Sequence, residues 1–323
     1  MIITELPEIA ILDTGYNSYS FEKELFKKNA YRLSIFNGSR DDIKAKMEFA
    51  KNAEGLLVRQ TEIDSSFLQQ VPKVRAIVRY GIGYDNIDLK AASDFNVKVA
   101  NVQGYANHSV SDHALALLFS CIRALPMGIA MIRTHHGAPP VESVFELNNK
   151  TLGIIGLGRI GSKFALKSNA LFKSVLAYDP YISDEKFEEA KVSKTGFHDL
   201  LKKSDVISLH CNLTGETREL INSNAFEKMK GNVVLINTAR GPIINESNLL
   251  DALNSGVIHS AGIDVWQDEP VKEAQEPLLS HPKVVGTGHY AWYSESASLV
   301  LQKKAAHNLI DLLNGEEIDD CLN

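Results

Sequence analysis

Cysteine is scarce in this chain. Cys121, Cys211 and Cys321 are odd in number and far apart, so no disulfide framework is implied. Long apolar runs are missing too: the richest stretch, His113–Pro126 (HALALLFSCIRALP), is broken by Arg123 and Pro126 well short of membrane-spanning length. Positive charge is not in excess, and a formal net charge of −6 offers no broad basic surface for nucleic acid or anionic membranes. The opening MIITELPEIA carries Glu5 and Glu8 and lacks the basic start and long apolar core of a secretory signal. No internal repeat or low-complexity tract occurs. What is present, 44% hydrophobic and 23% charged residues, is an ordinary soluble composition, and 323 residues favour two domains. A cytoplasmic protein is the expectation, with no membrane or direct nucleic-acid partner.

Strand-like and helix-like segments alternate almost throughout. Glu8–Thr14, Tyr31–Phe36, Gly55–Arg59 and Val74–Tyr80 are short runs rich in β-branched residues, separated by stretches long enough for helices. The pattern then restarts with Thr151–Gly156, Ser174–Asp179, Asp205–Cys211, Val233–Thr238, Ser260–Val265 and Lys283–Gly288. Near-continuous apolar runs suit strands buried on both faces. The expected fold is therefore α/β, with two doubly wound parallel-sheet domains. Between them Val110, Ala114, Leu117, Leu118, Cys121, Ile122 and Leu125 repeat at helical spacing, with Ser109 as the expected N-cap and Asp112 in the first turn. The following RTHHGAPPVESVFELNNK reads as a surface arm or linker. Its His135–His136 pair reads as exposed rather than metal-binding, since adjacent side chains diverge and no partner cluster is near; no metal is expected. The helical stretch Ser296–Gly315 is free to return to the first domain.

GLGRIG (Gly156–Gly161) has the context a dinucleotide site requires: a strand before it, an amphipathic helix after it, and Asp179 closing the next strand. Gly156 permits the tight turn, Gly158 allows backbone to approach a pyrophosphate, and Gly161 lets helix and strand pack closely. The N–H groups of Arg159 and Ile160 open the helix toward the phosphates. Asp179 suits two ribose hydroxyls and would repel a 2′-phosphate, which favours NAD over NADP. Three further stretches follow successive strands: NTARGP (Asn237–Pro242), DVWQDEP (Asp264–Pro270) and TGHYAW (Thr287–Trp292). Alone, Arg240 reads equally as a solvated loop cation, Glu269 as a helix-start acid and His289 as a structural ring. Together, at the ligand-binding edge of a sheet with a dinucleotide motif, they read as a site. Tryptophan is rare here, two residues in all, and Trp292 lies three residues from His289.

With RYGIGYDNID (Arg79–Asp88), SVSDHALALL, TLGIIGLGRIG, INTARGPIINE and GIDVWQDEP, the sequence resembles the D-2-hydroxyacid dehydrogenase family along essentially its full length. LHCNL, HYAWYSESAS and the ending DDCLN are most similar to the C-terminal binding protein corepressors of that family. The resemblance implies a Rossmann NAD-binding domain, here 102–292, and a flavodoxin-like discontinuous substrate domain, 1–101 plus 293–323. It also implies a homodimer built on the long helix and arm. Its catalytic residues carry over to Arg240, Glu269 and His289, with His289 expected at the seam between domains. The implied cofactor contacts are Ile82, Ile155, Gly156, Leu157, Gly158, Arg159, Ile160, Gly161, Asp179, His210, Cys211, Thr238, Ala239, Arg240, Asp264, His289, Ala291 and Trp292. Arg79, Ile82, Gly83, Arg240 and Trp292 would bind substrate.

In chemical terms, reducing a 2-oxo acid needs a hydride and a proton. Protonated His289 would give the proton, Glu269 would orient it, and Arg240 would grip the carboxylate. Two departures stand out. Gly288 replaces the proline that commonly precedes the family's histidine, and the arm at Thr134–Glu146 lacks the usual glycine–tryptophan ending. The expected activity is NAD-dependent reduction of a small 2-oxo acid, with a preference for a medium-sized apolar tail against Trp292. The alternatives are an NAD-sensing, corepressor-like interaction protein and a short 3-phosphoglycerate dehydrogenase.

Overall fold

The computed structural model describes residues 6–134 and 137–323. The chain divides into two compact units, Met1–Tyr105 with Ser294–Asn323, and Ala106–Tyr293.

In the first unit, β1 (Glu8–Ile11), β2 (Arg32–Ile35), β3 (Ala53–Val58), β4 (Ala76–Arg79) and β5 (Lys98–Ala100) form a parallel sheet in the order β2-β1-β3-β4-β5. That is the flavodoxin-like order. The crossovers are α1 (Ser20–Lys28), α2 (Ile43–Ala50), α3 (Ser65–Gln70) and α4 (Leu89–Asp94). Asp42, Asp64 and Asp88 start the last three by accepting the N–H of Ala45, Phe67 and Ala91. The central strands are buried on both faces, and Leu56, Leu57, Ile77 and Val78 have no exposed surface.

The second unit begins with α5 (Asn107–Ile122) and α6 (Leu125–Arg133). Its strands are β6 (Thr151–Ile155), β7 (Ser174–Tyr178), β8 (Ser193–Lys194), β9 (Val206–Leu209), β10 (Val233–Asn237), β11 (Ile258–Ile263) and β12 (Val284–Gly286). The connecting helices are α7 (Arg159–Ser168), α8 (Asp184–Glu189), α9 (Phe197–Lys203), α10 (Ser223–Lys228), α11 (Glu246–Asn254) and α12 (Glu276–Leu279). All seven strands are parallel, in the order β12-β11-β10-β9-β6-β7-β8. The reversal of direction from β6 lies between β6 and β9, which makes the ends of those strands a ligand-binding edge. The chain closes with α13 (Glu295–Leu313), packed on β3, β4 and α1 of the first unit.

Several local expectations are corrected. The long helix starts at Asn107 without a side-chain cap, so Ser109 lies inside its first turn, and Asp112 instead pairs with Lys167 at 2.6 Å. It ends at Ile122, where Ala124 takes a left-handed φ of +47°, and the separate α6 follows with Pro126 in its first turn. Strands β5 and β8, three and two residues long, carry too few apolar residues to register as a pattern. His135–His136 lies outside the described residues, among which no metal-binding cluster occurs. No single described helix is long and apolar enough to cross a membrane; α5 and α6 pass together by length and composition, but with a 58° bend.

Candidate active site

The dinucleotide loop joins β6 to α7. Gly156 has φ +89°, and a Cβ there would stand 2.5 Å from the Cys211 nitrogen, so loop and β9 edge are in backbone contact. A Cβ at Gly161 would stand 2.1 Å from the Gly156 oxygen, which only glycine tolerates. At Gly158 a Cβ would meet nothing within 4 Å. Two of the glycines are thus fixed by packing and one leaves space open beside the helix start, as a pyrophosphate requires. Asp179 braces this loop: Oδ2 accepts the Leu157 N–H at 2.9 Å and Oδ1 the Tyr181 N–H at 3.0 Å. Its remaining lone pairs are those that ribose hydroxyls would use.

The other expected cofactor residues divide by what they expose. Ile155, Leu157 and Ala291 are buried, so only their backbone is available to a ligand. The His210 ring packs on Phe164 and bonds Ser208 Oγ at 2.9 Å; burial pushes its pKa down to about 3 and keeps it neutral. Burial also raises the Cys211 thiol to about 11, so it is no nucleophile. Thr238 carries a buried Oγ1 with no hydrogen-bond partner among the described residues, an orphan that fits a ligand contact.

The catalytic candidates sit on the loops after β10, β11 and β12. Buried Asn237 shapes the first loop: its side chain accepts the Ala239 N–H at 3.0 Å and donates to the Arg240 carbonyl at 2.9 Å. Gly241 then packs so tightly on Trp266 that a Cβ would stand 1.9 Å from its carbonyl oxygen. On the second loop, Glu269 Oε1 accepts the Trp266 N–H at 3.0 Å, and Oε2 lies 2.5 Å from His289 Nδ1. Both side chains are about one-third exposed. Burial raises the Glu269 carboxyl, but the hydrogen bond and charge of His289, the Trp266 N–H and the Arg240 charge outweigh it and hold it below the ordinary carboxylate range. His289 itself has φ +54°, a left-handed conformation unfavourable for a residue with a side chain and often found at functional sites.

Asp264 differs from its expected role. The residue is fully buried, and its carboxylate is occupied by protein donors: Thr287 Oγ1 at 2.6 Å, Tyr290 N–H at 3.1 Å and Ala291 N–H at 2.9 Å. Its carbonyl also accepts the His289 N–H at 2.7 Å. It is a scaffold for the histidine loop. A surface cavity of about 280 Å³, lined by residues including His198, Arg218 and Lys228, contains none of the expected site residues.

In the first unit, Arg79 ends β4 and its guanidinium folds over Gly81, where a Cβ would stand 1.7 Å from Nη1. Gly81 has φ +141°, and the Ile82 carbonyl is held by Asn101 Nδ2 at 2.6 Å, which sets the turn carrying Ile82 and Gly83. Sequence reasoning missed a second cation here. Arg59 ends β3, with a guanidinium nitrogen 2.7 Å from where a Gly15 Cβ would be. Tyr16 feels the charge of both Arg59 and Arg79, while burial keeps its phenol protonated. The Arg59 loop is fixed from below: Asp13 accepts the N–H groups of Arg59, Gln60 and Thr61 at 2.7–3.0 Å and pairs with buried Lys46 at 2.7 Å.

Comparison with known proteins adds an independent line. Residues 115–291 match the family model described as D-isomer specific 2-hydroxyacid dehydrogenase, NAD binding domain. A D-3-phosphoglycerate dehydrogenase of Archaeoglobus fulgidus is 34% identical over 302 residues, covering 93% of this chain and 56% of that protein. The chain spans about half the length of the curated relatives it matches. Among solved structures, a D-lactate dehydrogenase from Aquifex aeolicus, complexed with NAD and lactic acid, superposes with a TM-score of 0.87 at 27% identity, covering 95% of this chain and 96% of that one. A glyoxylate reductase from Paecilomyes thermophila gives 0.86 at 27%, covering 97% of each chain.

Proposed function

Because this chain belongs to the D-isomer specific 2-hydroxyacid dehydrogenase family, whose NAD-binding domain it carries, we propose that it interconverts a small 2-oxo acid and the D-2-hydroxy acid with NAD. The observation that carries the reading is the 2.5 Å pair of His289 Nδ1 and Glu269 Oε2, in the same unit as the dinucleotide loop. Gly156–Gly161 and Asp179 hold the cofactor, and bound NADH supplies a hydride. Glu269, kept ionised, fixes the imidazole through Nδ1 and leaves Nε2 to give its proton to the oxygen of the reduced carbonyl. Arg240 binds the carboxylate with its forked donors and polarises the carbonyl. Ile82 and Gly83 offer backbone N–H groups to the same carboxylate. In oxidation His289 takes the hydroxyl proton back.

The substrate's tail has two readings. Trp292 favours an apolar or thioether group, since sulfur–aromatic contact adds about 0.3–1.5 kcal/mol. The second reading is a tail that carries another anion. It is favoured by Arg59, positioned beside Arg79 and Tyr16 by the Asp13–Lys46 pair, and by relatives named D-3-phosphoglycerate dehydrogenase. A panel of glyoxylate, pyruvate, 4-methylthio-2-oxobutanoate and 3-phosphohydroxypyruvate, followed by NADH absorbance in the parent, Trp292→Ala and Arg59→Met, separates them. A selective loss on the thioether acid in Trp292→Ala supports the first, and a selective loss on the phosphorylated acid in Arg59→Met the second. No turnover of any acid would overturn the enzymatic reading. A homodimer is part of the proposal, because α6 exposes Leu125, Ile129 and Ile132 to 47%, 50% and 67%.

A further inference from the structure

His113 lies on α5, outside every residue assigned above, yet its ring reaches the histidine loop. Its Nε2 is 3.0 Å from Thr287 Oγ1 and 3.6 Å from Asp264 Oδ1, and its ring meets Tyr290 edge-on with centroids 5.1 Å apart. The direction of these bonds follows from counting protons. An ionised Asp264 can only accept, so the one Thr287 hydroxyl proton goes to Oδ1 at 2.6 Å. Thr287 Oγ1 is then an acceptor toward His113, whose Nε2 must carry the proton.

The same short segment contains the least favourable backbone of the site, His289 at φ +54°. Such a conformation persists only where its surroundings over-determine it. Gly288 supplies no restraint, since a Cβ there would meet nothing within 4 Å. The hydrogen bonds around the loop do. Thr287 is held at its N–H by the Ile263 carbonyl at 2.8 Å and at its carbonyl by Trp266 Nε1 at 2.9 Å. His289, Tyr290 and Ala291 each donate a backbone N–H to Asp264. Thr287 and His113 close this set by fixing the rotamer of the Asp264 carboxylate, on which two of those N–H groups converge.

We infer that His113 is a positioning residue for the His289 loop, acting through the Thr287 hydroxyl on the buried Asp264 carboxylate. It rests on the reading of His289 as the proton donor, and it assigns to a helix residue the restraint that Gly288 does not give. The network orients the ring; it does not touch the substrate.

The test uses the full chain with glyoxylate and pyruvate as probe substrates, together with amide hydrogen exchange at Tyr290 and Ala291 by NMR. Thr287→Val and His113→Phe should each lower kcat about tenfold or more, as small misplacements of reacting groups do. The NADH Kd should change by no more than about twofold, because the glycine loop is untouched. Both amides should exchange faster. Thr287→Ser and His113→Gln, which keep the hydroxyl and an N–H donor, should recover most of the loss. Unchanged kcat and exchange in Thr287→Val and His113→Phe would overturn the inference, as would a change in NADH affinity with kcat intact. If Thr287→Val does not fold, His113→Phe against His113→Gln decides. If the parent reduces no 2-oxo acid, the functional reading fails while the exchange data still judge the positioning.

Discussion

Gly158 and Gly161 stand three residues apart in one motif, and the structure assigns them opposite jobs that one pair of alanine variants can distinguish. At Gly161 the new methyl would lie 2.1 Å from the Gly156 carbonyl oxygen, and both atoms belong to backbone. An ordinary contact needs roughly 1 Å more, so α7 must move away from β6. Overpacking of this kind costs about 3 kcal/mol at its usual upper end, and alanine's better helix propensity returns about 1 kcal/mol. A net loss of about 2 kcal/mol in a unit of this size lowers Tm by about 4–8 °C. At Gly158 the methyl enters open space, at φ −69° and ψ −161°, which alanine adopts freely. The stability change should be about 1 kcal/mol or less, the difference between glycine and alanine at an N-cap. NADH affinity, in contrast, should fall about tenfold or more, equivalent to at least about 1.4 kcal/mol. Thermal denaturation and calorimetric titration of both variants give the answer. A Gly158→Ala protein that binds NADH like the parent would refute the assignment of that space to the pyrophosphate. An unchanged Tm in Gly161→Ala would refute the packing argument.

Three further outcomes are expected. Asp179→Ser should narrow the preference for NADH over NADPH, measured by titration with both; equal affinities in the parent would remove the basis for the assignment. Glu269→Gln should move the alkaline limb of 2-oxo acid reduction to lower pH, because the imidazolium loses its carboxylate partner; a superimposable profile, with chemistry rate-limiting, would show that another group moves the proton. Lys46→Met should cost about 3–5 kcal/mol in denaturant unfolding, since Asp13 would be left buried and unpaired. Burial raises the Asp13 carboxyl, but Lys46 and three backbone N–H groups bring it down to about 2, against an ordinary value of 3.8. The depressed value contributes about 2 kcal/mol that is fully present above pH 3.8 and lost as pH falls toward 2, so the parent's acid unfolding limb should flatten in Asp13→Asn.

The α/β class was legible because ten of the twelve strands are apolar runs that had to be buried on both faces, and because GLGRIG has a strand before it and a helix after. Asp179, Arg240, Glu269 and His289 could be picked out by a single rule, that residues just past parallel strands face the ligand edge. The same rule, applied to EIAILD and GLLVR, would have found Asp13 and Arg59. Lys46 had a fainter signal: it falls three residues after Ile43 and four before Ala50, on the face that α2 buries. His113 and Thr287 left no trace, because their meeting depends on how α5 packs on β11 and β12, a contact far apart in sequence. Asp264 was read as a cofactor contact because its position is right; what its carboxylate bonds to is decided by the fold of a loop more than twenty residues later.

The return of α13 to the first unit sets an order on synthesis. Arg75 bonds the Leu313 carbonyl, Gly55 packs against Leu309 and Leu313, and the Leu322 N–H pairs with the Val99 carbonyl at 2.8 Å. Strands β3 and β4 therefore emerge from the ribosome long before the helix that covers them. The whole second unit, roughly 190 residues, is translated in between, which at about 5–20 residues per second takes about 10–40 s. During that interval the early sheet has one apolar face uncovered, while the contiguous second unit has all its strands in hand and is free to fold first. Nascent chains stalled just before Ser294 should thus protect the second unit from protease and leave the first one open to it.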